Sequence, residues 1–158
     1  MYAVWTEKTI VGPMTLVERD GALVCARFGA EAPEGAQICE TPLIAQAFRE
    51  LEEYFEGKRR VFTVALAPGG TVFQRRCWEA LEAIPYGETR TYVQQAAAAG
   101  NPRACRAAGL ANNRNPLPIF IPRHRVVGKN GALVGYGGGL GIKEKLLNLE
   151  NNRKGKVL

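Results

Sequence analysis

The sequence predicts a small α/β domain followed by a mostly helical domain built on a helix-turn-helix, and three observations carry that expectation. Strand-forming runs flank Asp20-Gly21, a strong two-residue hairpin signal, and one amphipathic helix follows them. Ala67-Pro68-Gly69-Gly70 then breaks every periodic pattern. Beyond the break, Thr71 with Gln74 and Thr91 with Gln94 are two capping-box signals, each opening a helix. The expected organisation is a supporting domain over residues 1–66, a linker at 67–71, a second domain over 72–152 and a basic tail at 153–158.

In the first domain, Tyr2 to Thr6, Met14 to Arg19 and Ala22 to Phe28 are rich in β-formers and predict a small antiparallel sheet. The mixture of Gly, Pro, Glu and Ala over 29–40 predicts a surface loop. Thr41 offers an N-cap and Pro42 fits the first helical turn. Ile44, Ala47, Phe48, Leu51, Tyr54 and Phe55 then fall on one helical face, which should cover the sheet. The acidic residues of this helix fall on its polar face, where solvation accounts for them, so the domain reads as a support rather than a site.

Composition narrows the function. The 158 residues are 46% hydrophobic and 23% charged, ordinary values for a globular protein. No apolar run is long enough to span a bilayer, and the first residues lack a basic segment followed by an apolar one, so neither a membrane role nor secretion is expected. Cys25, Cys39, Cys77 and Cys105 form no Cys-x-x-Cys pair, and with one histidine in the chain no metal site or other cofactor is expected. Scattered thiols suit a reducing compartment, and the expected location is cytoplasmic. Charge is uneven: residues 1–71 hold 7 Lys+Arg against 10 Asp+Glu, a balance of −3, whereas residues 72–158 hold 14 against 5, a balance of +9. A basic half suits a polyanion such as nucleic acid, although charge by itself equally describes a solvated surface.

The second half reads as a helix from Thr71 through Ile84, a stop at Pro85-Tyr86-Gly87, a helix from Thr91 to Ala99, and a third from Pro102 to about Asn112. Ala104, Ala107, Ala108, Gly109 and Ala111 make the third helix thin. Such small residues serve either tight packing within the protein or close approach to something narrow. Next comes an apolar, strand-like run between prolines, Pro118-Ile119-Phe120-Ile121-Pro122, delivering Arg123-His124-Arg125 and then Val126-Val127. Gly135-Tyr136-Gly137-Gly138-Gly139 predicts a loop, and Ile142 to Glu150 a closing helix with Leu146, Leu147 and Leu149 as its apolar residues.

Tyr92, Asn101-Pro102-Arg103, Arg106, Asn115-Pro116, Ile119 to Val127 and Gly135 to Gly138 resemble, in order and spacing, the O6-alkylguanine-DNA alkyltransferases. The resemblance implies a ribonuclease-H-like α/β domain followed by a winged-helix-like, helix-turn-helix DNA-binding domain. It implies double-stranded DNA containing O6-alkylguanine as partner, a monomeric protein, and a helix that enters the minor groove. By the same resemblance Arg106 replaces a flipped base in the stack and Tyr92 crowds the neighbouring phosphate. Arg103, Arg114 and Arg125 are expected to contact DNA, and Pro118, Tyr136, Gly137 and Gly138 to wall the base pocket. His124 is implied as the base, Glu150 as its orienter, and Asn115 as a further site residue. The family's acceptor cysteine falls at Arg123, which has no nucleophilic thiol to offer. Three readings follow: a transferase scaffold without its chemistry, a lesion-binding protein that hands damage to excision-repair proteins, and a helix-turn-helix regulator. In the first, Arg123 plugs the pocket and pairs with Glu150.

Overall fold

The computed structural model describes residues 1–133 and 139–154 and resolves into two compact units, Met1–Gly69 and Gly70–Leu158.

In the first unit, β1 (Ala3–Thr9), β2 (Gly12–Arg19) and β3 (Ala22–Phe28) form an antiparallel meander. Asp20 (φ 52°) and Gly21 (φ 82°) both take positive φ in the β2–β3 turn, the twist that an Asp-Gly hairpin supplies. The expected loop over 29–40 contains a short strand, β4 (Gln37–Ile38), parallel to β1, so the sheet order is β3-β2-β1-β4. On the other edge, Leu23 N donates to Ala65 O and Ala67 N to Leu23 O, which covers β3 with the strand-like segment 65–67.

Helix α1 (Pro42–Phe55) starts where Thr41 accepts from Ile44 N, and it buries Ile44, Ala47, Phe48, Leu51, Tyr54 and Phe55. Each fully buried large side chain contributes roughly 1.5–3 kcal/mol. Glu50 corrects the reading of the acidic residues. It is 1% exposed, and its carboxylate accepts from Gln46 Nε2, Thr63 N and Oγ1, and Val64 N. Burial disfavours its charge, but these donors outweigh burial and lower its pKa.

In the second unit, α2 (Val72–Glu82) and α3 (Tyr92–Ala98) both begin with complete capping boxes, Thr71/Gln74 and Thr91/Gln94. α2 stops two residues short of the expected Ile84. Helix α4 (Cys105–Asn113) begins three residues later than expected. Asn101 Oδ1 accepts from Arg103 N and Asn101 O from Ala104 N, so Pro102 and Arg103 lie in the turn rather than on the helix. Cys77, Ala96, Ala99, Ala108 and Ala111 make a small-residue core between α2, α3 and α4, with Cys105 packed against it. Within that core the side-chain amides of Gln95 and Asn112 bond reciprocally at 2.7 and 2.8 Å. Strand β5 (Arg90–Thr91) pairs in parallel with β6 (Val126–Val127), and α5 (Leu140–Lys154) closes the unit.

The expected strand between Pro118 and Pro122 is not one. Prolines deny the ladder two donors, Ile119 takes φ 75°, and Ile121 N folds back to Leu117 O at 2.8 Å. The segment is a compact turn, followed by a 3₁₀ turn over Arg123–Arg125. No helix of the described residues is long and apolar enough to cross a membrane.

Candidate functional site

Every residue from Leu117 to Val127 is buried, which makes the basic tripeptide part of the core rather than a solvated face. Asn115 organises the approach to it. Its Oδ1 accepts from Leu117 N at 2.8 Å and its Nδ2 donates to Ile121 O at 2.9 Å. Its side chain thus shapes the turn that carries residues 123–125. Pro118 is buried in the same turn.

Helix α5 turns Lys143, Leu146 and Glu150 inward, at helical spacings of three and four, and packs on the 123–125 turn. Among the described residues, Glu150, 1% exposed, accepts from Gly87, Arg125 and His124. Gly87 N (3.0 Å) and Arg125 Nε (2.9 Å) reach Oε1, while Arg125 Nη2 (3.0 Å) and His124 Nε2 (2.7 Å) reach Oε2. Burial opposes the charge on Glu150, but His124 and Arg125 outweigh it and lower the carboxyl to about 2. Burial pushes His124 below its ordinary value, Glu150 pulls it up, and Arg125 and Lys143 push it down again; the net direction is down. A neutral imidazole beside an ionised carboxylate donates through Nε2–H and keeps its ring lone pair on Nδ1. Glu150 therefore fixes the orientation of the imidazole ring.

Arg125, expected among the DNA-contacting arginines, is placed differently. It is 6% exposed, gives Nε and Nη2 to Glu150 and Nη1 to Ile84 O at 2.8 Å, and lies 5.7 Å from the Tyr86 ring centroid. A guanidinium committed in this way holds the site together and cannot reach a phosphate. It also corrects the expected pairing of Arg123 with Glu150, because the carboxylate accepts from Arg125, His124 and Gly87 instead. Arg123 is 7% exposed, its Nη2 lies 3.5 Å from Asn113 Oδ1, and its charge acts on Tyr92 and Lys143.

Two contributors escaped the sequence reading. Lys143 Nζ donates to Val126 O at 2.7 Å, and burial, helped by Arg123, lowers its pKa to about 8. Gly87 supplies a backbone donor to Glu150. The signal for Lys143 was its seven-residue offset from Glu150, which puts both on one face of α5; nothing local marks Gly87.

The remaining arginines lie elsewhere. Arg106 is exposed on α4, Arg114 at its C-cap and Arg103 in the turn before it. The small residues divide between two faces: Ala108 and Ala111 are buried, while Ala107 is exposed with Arg106, Leu110 and Arg114. Tyr92 opens α3, half-buried against Gly109, where a Cβ would stand 3.8 Å from its ring. Burial raises the Tyr92 pKa, and Arg123 opposes that. Tyr136, Gly137 and Gly138 lie outside the described residues.

Comparison with known proteins places both units of the chain in one family. Residues 2–68 match the family described as 6-O-methylguanine DNA methyltransferase, ribonuclease-like domain, and residues 72–152 match its DNA binding domain. A methylated-DNA–protein-cysteine methyltransferase of Methanosarcina acetivorans is 47% identical over 150 residues, covering 90% of this chain and 94% of its own. The constitutive methylated-DNA–protein-cysteine methyltransferase of Bacillus subtilis is 53% identical over 121 residues, covering 76% and 73%. A crystal structure of Mycobacterium tuberculosis OGT in complex with DNA superposes with a TM-score of 0.89 at 41% identity, covering 96% of this chain and 94% of that one. The expected fold class, a ribonuclease-like α/β domain followed by a helical DNA-binding domain, is the one found.

Proposed function

The chain belongs to the 6-O-methylguanine DNA methyltransferase family, and on that basis we propose that it is a DNA-repair protein that binds alkylated duplex DNA but has an arginine where the family's acceptor cysteine stands. The observation that carries the proposal is the His124–Glu150 hydrogen bond, with His124 directly after Arg123 in one buried turn.

In the family reaction a cysteine thiolate attacks the alkyl carbon. A sulfur–carbon bond forms, the bond from carbon to guanine O6 breaks, and the guanine anion that leaves takes up a proton, which restores guanine. An oriented base suits the first step, because only the thiolate is a competent nucleophile. His124, neutral and held by Glu150, meets that requirement. Arg123 does not supply the nucleophile: its guanidinium stays protonated at physiological pH and has no lone pair for an alkyl group. The chain therefore retains base and orienter without an acceptor.

The exposed arginines of α4 and its preceding turn, in a half of the chain with a +9 balance, suit the phosphates of duplex DNA. A helix with small residues beside Arg106 suits a narrow groove, and a planar guanidinium can fill the place of an extruded base. A second reading, in which the chain holds the lesion for excision-repair proteins, is favoured by Arg123 itself, whose donors match guanine O6 and N7. A reducing cytoplasm suits its four free thiols.

The test is duplex binding across a salt series, with and without an O6-methylguanine, for the parent chain and Arg106→Ala. Binding that weakens with salt and is reduced in the variant supports the DNA-binding reading, and a preference for the lesion supports the second. No binding by the parent at low salt rejects both.

A further inference from the structure

We propose that the groove between the end of β1 and helix α1 docks an extended cationic segment of a partner protein, with the stem of an arginine or lysine laid on Phe48, Phe55 and Ile10 and its charged head among Glu7, Glu52 and Glu56. All of these residues belong to the first unit.

The groove has a volume of about 430 Å³, the size of a small-ligand cleft. Helix α1 and its C-cap build one wall by their periodicity. Phe48, Glu52 and Glu56 follow at intervals of four, with Phe55 beside them, so aromatic and acidic side chains share one face. The last residues of β1 and the turn beyond it, from Glu7 to Ile10, build the other wall. Ile10 is left 52% exposed there.

Charge decides what kind of partner fits. Among the described residues that line the groove, three carboxylates stand against a single cation, Lys8. Burial, together with the carboxyls of Glu40 and Glu52, raises the pKa of Glu7, while Trp5 opposes the rise. An added cation relieves that crowding. Glu56 also bonds to Lys58 at 2.8 Å, but both side chains are exposed, and such a pair is weak enough for a partner to displace. An arginine or lysine matches both halves of the groove, because its aliphatic stem covers apolar surface while its head stays charged. A free small cation would leave Ile10 uncovered, whereas a peptide segment can set an apolar neighbour on it.

The experiment titrates the isotope-labelled full chain with the capped peptide Gly-Leu-Arg-Leu-Arg-Gly and follows amide NMR shifts. Saturable shifts confined to residues 7–10 and 48–56 are expected. The same peptide with citrulline for arginine, which keeps the shape and loses the charge, should bind about threefold to tenfold more weakly. Glu52→Gln with Glu56→Gln should weaken the arginine peptide by a similar factor; both positions are exposed and glutamine favours a helix, and thermal melts check the fold. Glu31→Gln with Glu34→Gln removes the same charge from exposed positions outside the groove and should bind as the parent does. Absence of saturable shifts, shifts centred on other residues, equal binding of the citrulline peptide, or an equal loss in the two double variants overturns the inference. Ethylguanidinium binding as tightly as the peptide would make this a small-cation site, and the same shifts on concentrating the protein alone would make a second copy the occupant; either result overturns it too.

Discussion

Arg125 grips Glu150 with two parallel hydrogen bonds, Nε to Oε1 at 2.9 Å and Nη2 to Oε2 at 3.0 Å, on a carboxylate that His124 also engages at 2.7 Å. With Arg125 6% and Glu150 1% exposed, this is a buried ion pair. Breaking such a pair from one side leaves a charge in the core and costs about 3–5 kcal/mol. Arg125→Met should lose that much stability in urea denaturation. Arg125→Lys should recover only part of it, because an ammonium cannot match the two-pronged geometry. A loss below about 1 kcal/mol for Arg125→Met would place Arg125 outside the structural role given to it here.

The same cluster sets an acid response. Glu150 titrates at about 2 in the fold against an ordinary 4.5, so between those values the unfolded chain binds a proton that the folded chain refuses. Stability from this group is complete above pH 4.5 and is lost as pH falls towards 2, in total on the order of 3 kcal/mol. His124 is also depressed, from 6.5, so the unfolded chain takes its proton first and stability begins to fall below pH 6.5. Thermal midpoints measured from pH 7 to pH 3 should therefore drop in two stages. Glu150→Gln should be less stable at pH 7 and flatter below pH 4.5. Curves that run parallel for the two proteins would contradict this assignment.

A buried amide pair sets the packing of α3 on α4. Gln95 and Asn112 bond reciprocally, and Gln95 Nε2 also donates to Cys77 O at 3.2 Å. Replacing one partner strands the other, whereas replacing both removes the need for a partner. Asn112→Leu should cost about 1–3 kcal/mol, and Gln95→Leu with Asn112→Leu should cost less than the sum of the single changes. Strict additivity in a double-mutant cycle would show that the two amides do not act as a pair.

Much of the fold was legible in local chemistry. Asp20-Gly21, Thr41-Pro42 and the two Thr-x-x-Gln boxes all appear as read, because turns and caps depend on residues within four positions of each other. The misreadings came where side-chain clamps and groups distant in sequence decide. Pro118 to Pro122 has the composition of a strand, but two missing N–H groups and the clamp from Asn115 fold it into a turn. Glu50 reads as one of several solvated carboxylates until residues 63 and 64 close over it. Arg125 reads as one more basic residue until α5, 25 positions later, brings Glu150 against it. His124 and Glu150 were legible only through resemblance, since no local spacing joins them. Lys143 lay within reach of helical periodicity, but a charged residue on an inward face runs against the usual reading of an amphipathic helix.

Arg123 stands where the proposed reaction needs a nucleophile, and replacing that one residue tests the proposal. Both the parent chain and Arg123→Cys are mixed, in single turnover, with a duplex carrying O6-alkylguanine labelled in the alkyl group, and label on protein is counted per molecule. With His124 and Glu150 already oriented beside it, the new thiol should take the label stoichiometrically and keep it as a thioether, while the parent takes none. Labelling of the parent, or a folded and DNA-binding Arg123→Cys protein that takes no label, would contradict a site complete but for its nucleophile.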